Sequence, residues 1–259
     1  MKILFIGDIC GKTGREALTQ FLPELKAFYR PDWVIANGEN VTGGSGISAR
    51  HARFIKEAGV DIITTGNHIF ARQDWPKVLE NASDILKPHN LAGKNSPGCG
   101  YRIFKKKEEH LELAVVNLAG RVFMERGRCP FKTAEEILAA LPNEVPVVVD
   151  FHAEATSEKL AMGWHLAGKV AAVVGTHTHV QTSDERILPG GTAVITDLGM
   201  TGARDGILGV NKDIIVGRFI NGFSDKFLCG LGAKKIEGTF IEIDSRNKAQ
   251  KIERFRKSD

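Results

Sequence analysis

The stretch 170-VAAVVGTHTH-179 decides how the chain is read. Its opening apolar run is the kind that forms a short strand buried on both faces. Glycine ends the run, and two histidines follow, spaced i and i+2. In an extended segment such residues face one side, ~7 Å apart at Cα. That separation suits two imidazoles reaching a pair of cations held ~3.5–4 Å apart. Two loop histidines with ordinary hydrogen bonds would read the same, so other ligands must come from elsewhere in the chain.

Four further segments end in the same way. The strand-like 2-KILFIG-7 runs into Asp8, 32-DWVIAN-37 into 38-GEN-40, 60-VDIITTG-66 into Asn67 and His68, and 145-VPVVVDF-151 into His152. Helical patterns separate them at 14–29, at 48–59 with Ser48 as N-cap, near 132–141 and at 156–166. Alternating strands and helices predict a mostly parallel sheet with both faces covered. In such sheets ligands bind beyond the carboxyl ends of the strands. Asp8, Glu39, Asn40, Asn67, His68, His152, His177 and His179 are therefore expected along one edge. Gly7, Gly38, Gly66 and Gly175 precede these polar residues, where unusual dihedrals or a close approach would call for glycine.

The rest of the chain reads differently. Segments 101–107 and 111–118 resemble a hairpin closed at 107-KEEH-110. Segments 184–188, 191–196, 238–244 and 249–255 read as antiparallel strands, with a helix near 211–220. No repeat or linker divides the sequence, which predicts one domain over 1–259 built from two sheets.

Composition narrows the function. A net charge of +4 over 259 residues, with 105-KKK-107 the only dense basic run, gives no stripe suited to a polynucleotide backbone. No stable nucleic-acid complex is expected. Four scattered cysteines and no CxxC pair fit reduced thiols and a cytoplasmic location. No apolar run is long enough for a membrane span. Helix 14–29 and the loop 120-GRVFM-124 are the candidate surfaces for a homo-oligomer.

The motifs 7-GD-8, 38-GEN-40, 66-GNH-68, 151-FH-152 and 175-GTHTH-179 resemble, in order, those of the calcineurin-like metallophosphoesterases. The first motif departs from the usual DxH, reading 8-DIC-10, and Glu39 with Asn40 replaces a single bridging Asp. These variants, with 39-ENVTGGSG-46, 120-GRVFM-124 and 152-HAEATSEKLAMGWHLAG-168, resemble the bacterial 2′,3′-cyclic-nucleotide 2′-phosphodiesterase (YmdB-like) branch. The resemblance implies an α/β fold, a four-layer αββα sandwich of two mixed sheets flanked by helices. It also implies a dinuclear centre: Asp8, Glu39, Asn40 and His179 for one ion, and Glu39, Asn67, His152 and His177 for the other. Glu39 would bridge, Asn40 would replace the absent histidine, and Cys10 would be a small buried thiol.

With Asp8 and Glu39 as the only charged ligands, two divalent ions leave the cage at about +2. The mixed N/O set suits Fe or Mn, with Zn or Co as alternatives, better than Ca. The implied reaction is hydrolysis of a 2′,3′-cyclic nucleotide, with 3′,5′-cyclic nucleotides as a second substrate, by a metal-bridging hydroxide. His68, beside a ligand but assigned to no ion, is the expected general acid. The alternatives are a broad phosphomonoesterase or nuclease on the same site, and a metal-dependent regulatory binding module.

Other residues carry weaker expectations. Asp150 is either a partner orienting an imidazole or a salt-bridged strand-end carboxylate. His165 reads as a packing residue, His51 and His110 as surface residues, and His89 as part of a loop near the site. The segment 42-TGGSG-46 could offer N–H groups to phosphate, and 197–206, with Arg204, could line the opposite wall.

Overall fold

A computed structural model describes residues 1–80, 82–91, 93, 96–106, 111–124, 127–223 and 226–259. The expected turn at 107–110, with His110, lies outside the described residues.

The period of two in the apolar strands separates the layers. In β1 (Lys2–Ile6), Ile3 and Phe5 point one way while Leu4 and Ile6 point the other. The same alternation splits Trp33 and Ile35 from Val34 and Ala36 in β3 (Trp33–Asn37). One face of each strand therefore meets helices and the other meets a second sheet. A short strand, β2 (Asp8–Ile9), follows β1 directly.

Among the described residues the two sheets have seven and six strands. Beside β1 and β3 lies β4 (Ile62–Thr64), and all three run parallel. On the other side of β1, antiparallel, is β12 (Lys234–Ile243), flanked by β11 (Met200–Ala203) and β13 (Ala249–Ser258). Helices α1 (Gly11–Tyr29) and α2 (Ala49–Glu57) belong to this half, and Leu18, Leu22, Leu25 and Ile55 pack with Leu4, Ile6 and Val34. Ser48 caps α2 as expected, its hydroxyl accepting from the His51 N–H.

The second sheet has six strands in the order β5 (Tyr101–Lys106), β6 (Leu111–Ala119), β7 (Val147–His152), β8 (Ala172–Thr176), β10 (Thr192–Ile195), β9 (Arg186–Leu188). The predicted β5–β6 hairpin pairing is present. The tail departs from its expectation at one strand: β10 joins β8 in parallel, and only its pairing with β9 is antiparallel. Short tail strands carry no signal of direction; that is set by which edge remains free. Helices α4 (Pro130–Ala140) and α5 (Thr156–His165) cover the outer face, with Ile137 and Met162 against Val116, Val149 and Phe151. A 3-10 helix at Asn67–Ala71, a short α3 (Trp75–Glu80) and α6 (Lys212–Asn221) complete the helices among the described residues.

Between the sheets Phe5, Ile35 and Ile62 meet Val115, Val148, Val174 and Ile195. The result is the expected four-layer αββα sandwich of two mixed sheets. Toward the carboxyl ends the layer between the sheets turns polar. The Asn37 amide of β3 donates to Asp150 of β7 across the gap, at 3.3 Å, and both residues are fully buried.

Candidate metal centre

The five strand ends do meet, but they come from both sheets. β1, β3 and β4 deliver Asp8, Glu39, Asn40, Asn67 and His68 from one side, and β7 and β8 deliver His152, His177 and His179 from the other. In-register pairs Asn37↔Thr64 and His152↔Thr176 keep the ends level. The site therefore lies where two sheets converge, and not along one edge of a single sheet.

The expected extended histidine pair is not extended. Strand β8 stops at Thr176, and His177 and His179 hold φ of 100° and 62°. Positive φ in a residue with a Cβ costs on the order of 1–3 kcal/mol and persists only where the surroundings enforce it. The turn brings His177 to His152, ring nitrogens 3.0 Å apart, and swings His179 to Asn40 and Asp8.

Gly7, Gly38, Gly66 and Gly175 need glycine for space and not for dihedrals, since none has positive φ. A Cβ on Gly66 would sit 2.1 Å from His152 Nε2 and 2.3 Å from Glu39 Oε2. On Gly175 it would lie 1.8 Å from the Thr196 carbonyl oxygen.

All eight predicted residues share one polar network. His152 Nε2 lies 3.2 Å from Glu39 Oε1 and 3.3 Å from Asn67 Oδ1. His179 Nε2 is 3.1 Å from Asn40 Nδ2 and 3.6 Å from Asp8 Oδ1. His68 Nδ1 is 2.7 Å from Asn40 Oδ1, and its backbone N–H donates to Glu39 Oε2. Glu39, which touches both halves, is 1% exposed.

Hydrogen bonds on the far side of the ring orient His152 and His179, and a carboxylate faces the far side of His177. The Thr176 hydroxyl donates to Asp150, so its oxygen accepts from His152 Nδ1 at 2.9 Å. His177 Nε2 faces Glu154 Oε2 at 3.0 Å, and His179 Nδ1 donates to the Leu208 carbonyl at 3.0 Å. Each ring thus turns its other nitrogen, His152 Nε2, His177 Nδ1 or His179 Nε2, to the network. Fixing a tautomer from behind in this way prepares an imidazole for a cation. Asp150 is the orienting partner, acting through Thr176. Sequence reading missed Thr176, Glu154 and Leu208, because a hydroxyl, a loop acid and a backbone carbonyl leave no motif.

Charge balance in the site is tense. Burial opposes the Glu39 charge, yet His152 and His68 outweigh it and hold the carboxyl below its ordinary range. Burial likewise opposes protonation of His152, but Glu39 raises that ring above its usual value. Burial, reinforced by His152, pushes His177 down to about 4. Burial lifts Asp150 to about 6. Asp8 Oδ1 is buried without any hydrogen-bond partner. An orphaned carboxylate oxygen costs ~1–3 kcal/mol or more unless something satisfies it.

Divalent cations fit these residues. Donor atoms of Glu39, His152 and His177 lie within 4.8 Å of one another, the Asp8 oxygen lacks a partner, and Gly66 leaves the space open. Asn40 is the exception in orientation. Its Nδ2 donates to Glu39 Oε1 at 3.0 Å, which turns Oδ1 to His68. Ligation through Oδ1 would require the amide to rotate.

A cavity of about 570 Å³ opens over this network, lined by Glu39, Asn40, His68, His177 and His179 on one side. Gly43, Gly44 and Ser45 of the expected glycine-rich loop line it too. Residues 197–206 are absent from the lining, which also takes in 208–210 and 226–229, with Leu208, Val210, Lys226, Phe227 and Leu228. Arg204 instead pairs with Asp205 and the Asp259 carbonyl, and His89 lines another cleft with Tyr101. Cys10 is buried as expected, its thiol held well above the usual range by a hydrogen bond with Cys229 and by burial. His165 packs edge-on against Phe131, and His51 is half-buried against Thr42.

Known proteins resemble this chain over its whole length. A Bacillus subtilis (strain 168) protein described as 2′,3′-cyclic-nucleotide 2′-phosphodiesterase is 43% identical over 257 residues, 98% of this chain and 96% of that one. The crystal structure of a novel phosphatase from Mycoplasma pneumoniae superposes with a TM-score of 0.93 at 35% identity, covering 100% of this chain and 93% of that one. A 5′-nucleotidase precursor from Thermus thermophilus shares the fold at a TM-score of 0.59 and 13% identity, over 99% of this chain and 54% of its own. A family model described as YmdB-like protein matches residues 4–255, and the chain belongs to that family.

Proposed function

We propose that the chain is a metal-dependent phosphoric ester hydrolase that opens 2′,3′-cyclic nucleotides at the 2′ position to leave the 3′-nucleotide. The observation that carries this reading is the set of three imidazoles gathered around the buried Glu39, two of them hydrogen-bonded behind and the third backed by the Glu154 carboxylate. The 43% identical Bacillus subtilis relative bears the name of that activity.

In this reading Asp8, Glu39, Asn40 and His179 hold one divalent ion and Glu39, Asn67, His152 and His177 the other, with Fe or Mn the favoured metals. When bound, such ions supply Lewis-acid charge at phosphate and lower the pKa of water. The protein supplies position and protons. The Asn40 amide holds His68 Nδ1, so Nε2 is the nitrogen that can hand over a proton: from the imidazolium while Oδ1 accepts from Nδ1, and from the neutral ring once the amide has turned and Nδ2 donates to Nδ1. The ring lines the cavity with its side chain 41% exposed. As the P–O2′ bond breaks and water oxygen joins phosphorus, the departing O2′ takes the Nε2 proton. That spares the reaction an alkoxide leaving group. The same cage accepts 3′,5′-cyclic nucleotides as a second substrate.

Product analysis tests the reading. Incubation with 2′,3′-cyclic AMP is expected to yield 3′-AMP. Release of phosphate from monoesters without cleavage of any cyclic nucleotide would instead establish a phosphomonoesterase.

A further inference from the structure

Part of the cavity lining is rich in apolar side chains, and nothing in phosphate chemistry requires that. Residues 208–210 and 226–229 form this wall, where Leu208, Val210, Phe227 and Leu228 stand beside Lys226 and Cys229, and Leu208, Phe227 and Leu228 keep 50%, 48% and 58% of their surface exposed. Large apolar side chains left open inside a mixed cavity mark the part of a site that takes the apolar part of a ligand.

The wall is built in, not draped over the opening. Asn211 N–H donates to the Leu228 carbonyl and Gly230 N–H to the Gly209 carbonyl, clamping 228–230 to 209–211. Val210 and Cys229 are bridged as well. Leu208 adopts a φ of 49°, a left-handed conformation that a leucine avoids, and in that pose its carbonyl accepts from His179 Nδ1. One residue thus anchors the ring of a cation-binding histidine and presents its side chain to the cavity. The Arg218 guanidinium lies over the Phe227 ring, 5.2 Å from its centroid, which steadies the ring in place.

We infer that this wall, with Phe227 at its centre, is the platform on which the nucleobase of the substrate rests. The inference deepens the proposed function and rests on it. A phosphate at His177 and His179 puts the remainder of a nucleotide within reach of Leu208, one hydrogen bond from His179. The aliphatic side chains and the phenyl ring offer dispersion and stacking to any base, with purines favoured for their larger face, and the neighbouring Lys226 ammonium is a donor within the same lining.

The test compares 2′,3′-cyclic AMP with a base-free ester, the 2′,3′-cyclic phosphate of 1-O-methylribose. The readout is the ratio of kcat/KM for the two. Phe227→Ala is expected to lower this ratio roughly tenfold, through KM for the nucleotide, as base–aromatic stacking losses do. Phe227→Trp restores it. Phe123→Ala, which removes an aromatic ring 90% exposed and outside the cavity lining, leaves it unchanged. An unaltered ratio in Phe227→Ala, or loss of both activities in proportion, overturns the platform while leaving the hydrolase reading intact. Failure of the wild-type protein to cleave either ester overturns both.

Discussion

At the scale of single residues the site depends on which nitrogen of each ring faces inward. Among the described residues, His68 is the one imidazole near the cage whose Nδ1 is engaged by an amide oxygen while the ring remains open to the cavity. His68→Ala is expected to cut turnover of 2′,3′-cyclic AMP by ~10²–10⁴-fold while retaining metal. The loss on a nitrophenyl phosphodiester, whose leaving group hardly needs a proton, is expected to be far smaller. Equal losses on both would refute the acid role. The eight polar residues at the strand ends were readable because metal-capable side chains stand out where they follow apolar runs. Thr176 and Leu208 were not, because their part is to hold a ring from behind, and many residue types can do that. The left-handed turn at His177 was also hidden: an HxH written in sequence looks the same extended or bent.

At the scale of elements, local rules account for most boundaries. The Ser48 hydroxyl accepts from the third N–H beyond it, and Ser48→Ala is expected to lower stability by ~1 kcal/mol, measured by denaturant unfolding. Asp184 ties the end of β10 to the preceding loop, accepting from the Thr182 hydroxyl at 2.7 Å and the Thr196 N–H at 3.1 Å. Burial opposes its charge, but these hydrogen bonds hold the carboxyl below its ordinary value. A carboxyl depressed on folding contributes stability that is present above its unfolded pKa and is lost as pH falls through the folded one. The difference in stability between wild type and Asp184→Asn is therefore expected to be full at neutral pH and to shrink in acid below the ordinary Asp range. A constant difference from neutral to strongly acid pH would contradict that assignment. The elements that escaped sequence reading are short. β11 spans Met200–Ala203 among glycines, too brief for periodicity, and it became a strand because β2 and β12 left a gap between them.

At the scale of the molecule, two sheets share one apolar layer that gives way to polar groups where the strands end. The alternation of Ile3 and Phe5 with Leu4 and Ile6 made that layering legible, since a strand apolar on both sides must be covered on both. That the ligands would be divided between two sheets was not legible, because strand order depends on contacts far apart in sequence. Ile35→Ala, in the fully buried layer between the sheets, is expected to cost ~2–5 kcal/mol in a thermal or denaturant melt. A cost below ~1 kcal/mol would mean that the sheets do not rely on this contact.

Everything proposed for the site requires Glu39 to lie between two cations. Native mass spectrometry of the protein isolated without chelator measures it directly. A mass increment of about two transition-metal ions per chain is expected, lost on dialysis against chelator together with a fall in melting temperature. A metal-free mass after gentle isolation, with no shift in melting on adding Fe or Mn, would contradict it.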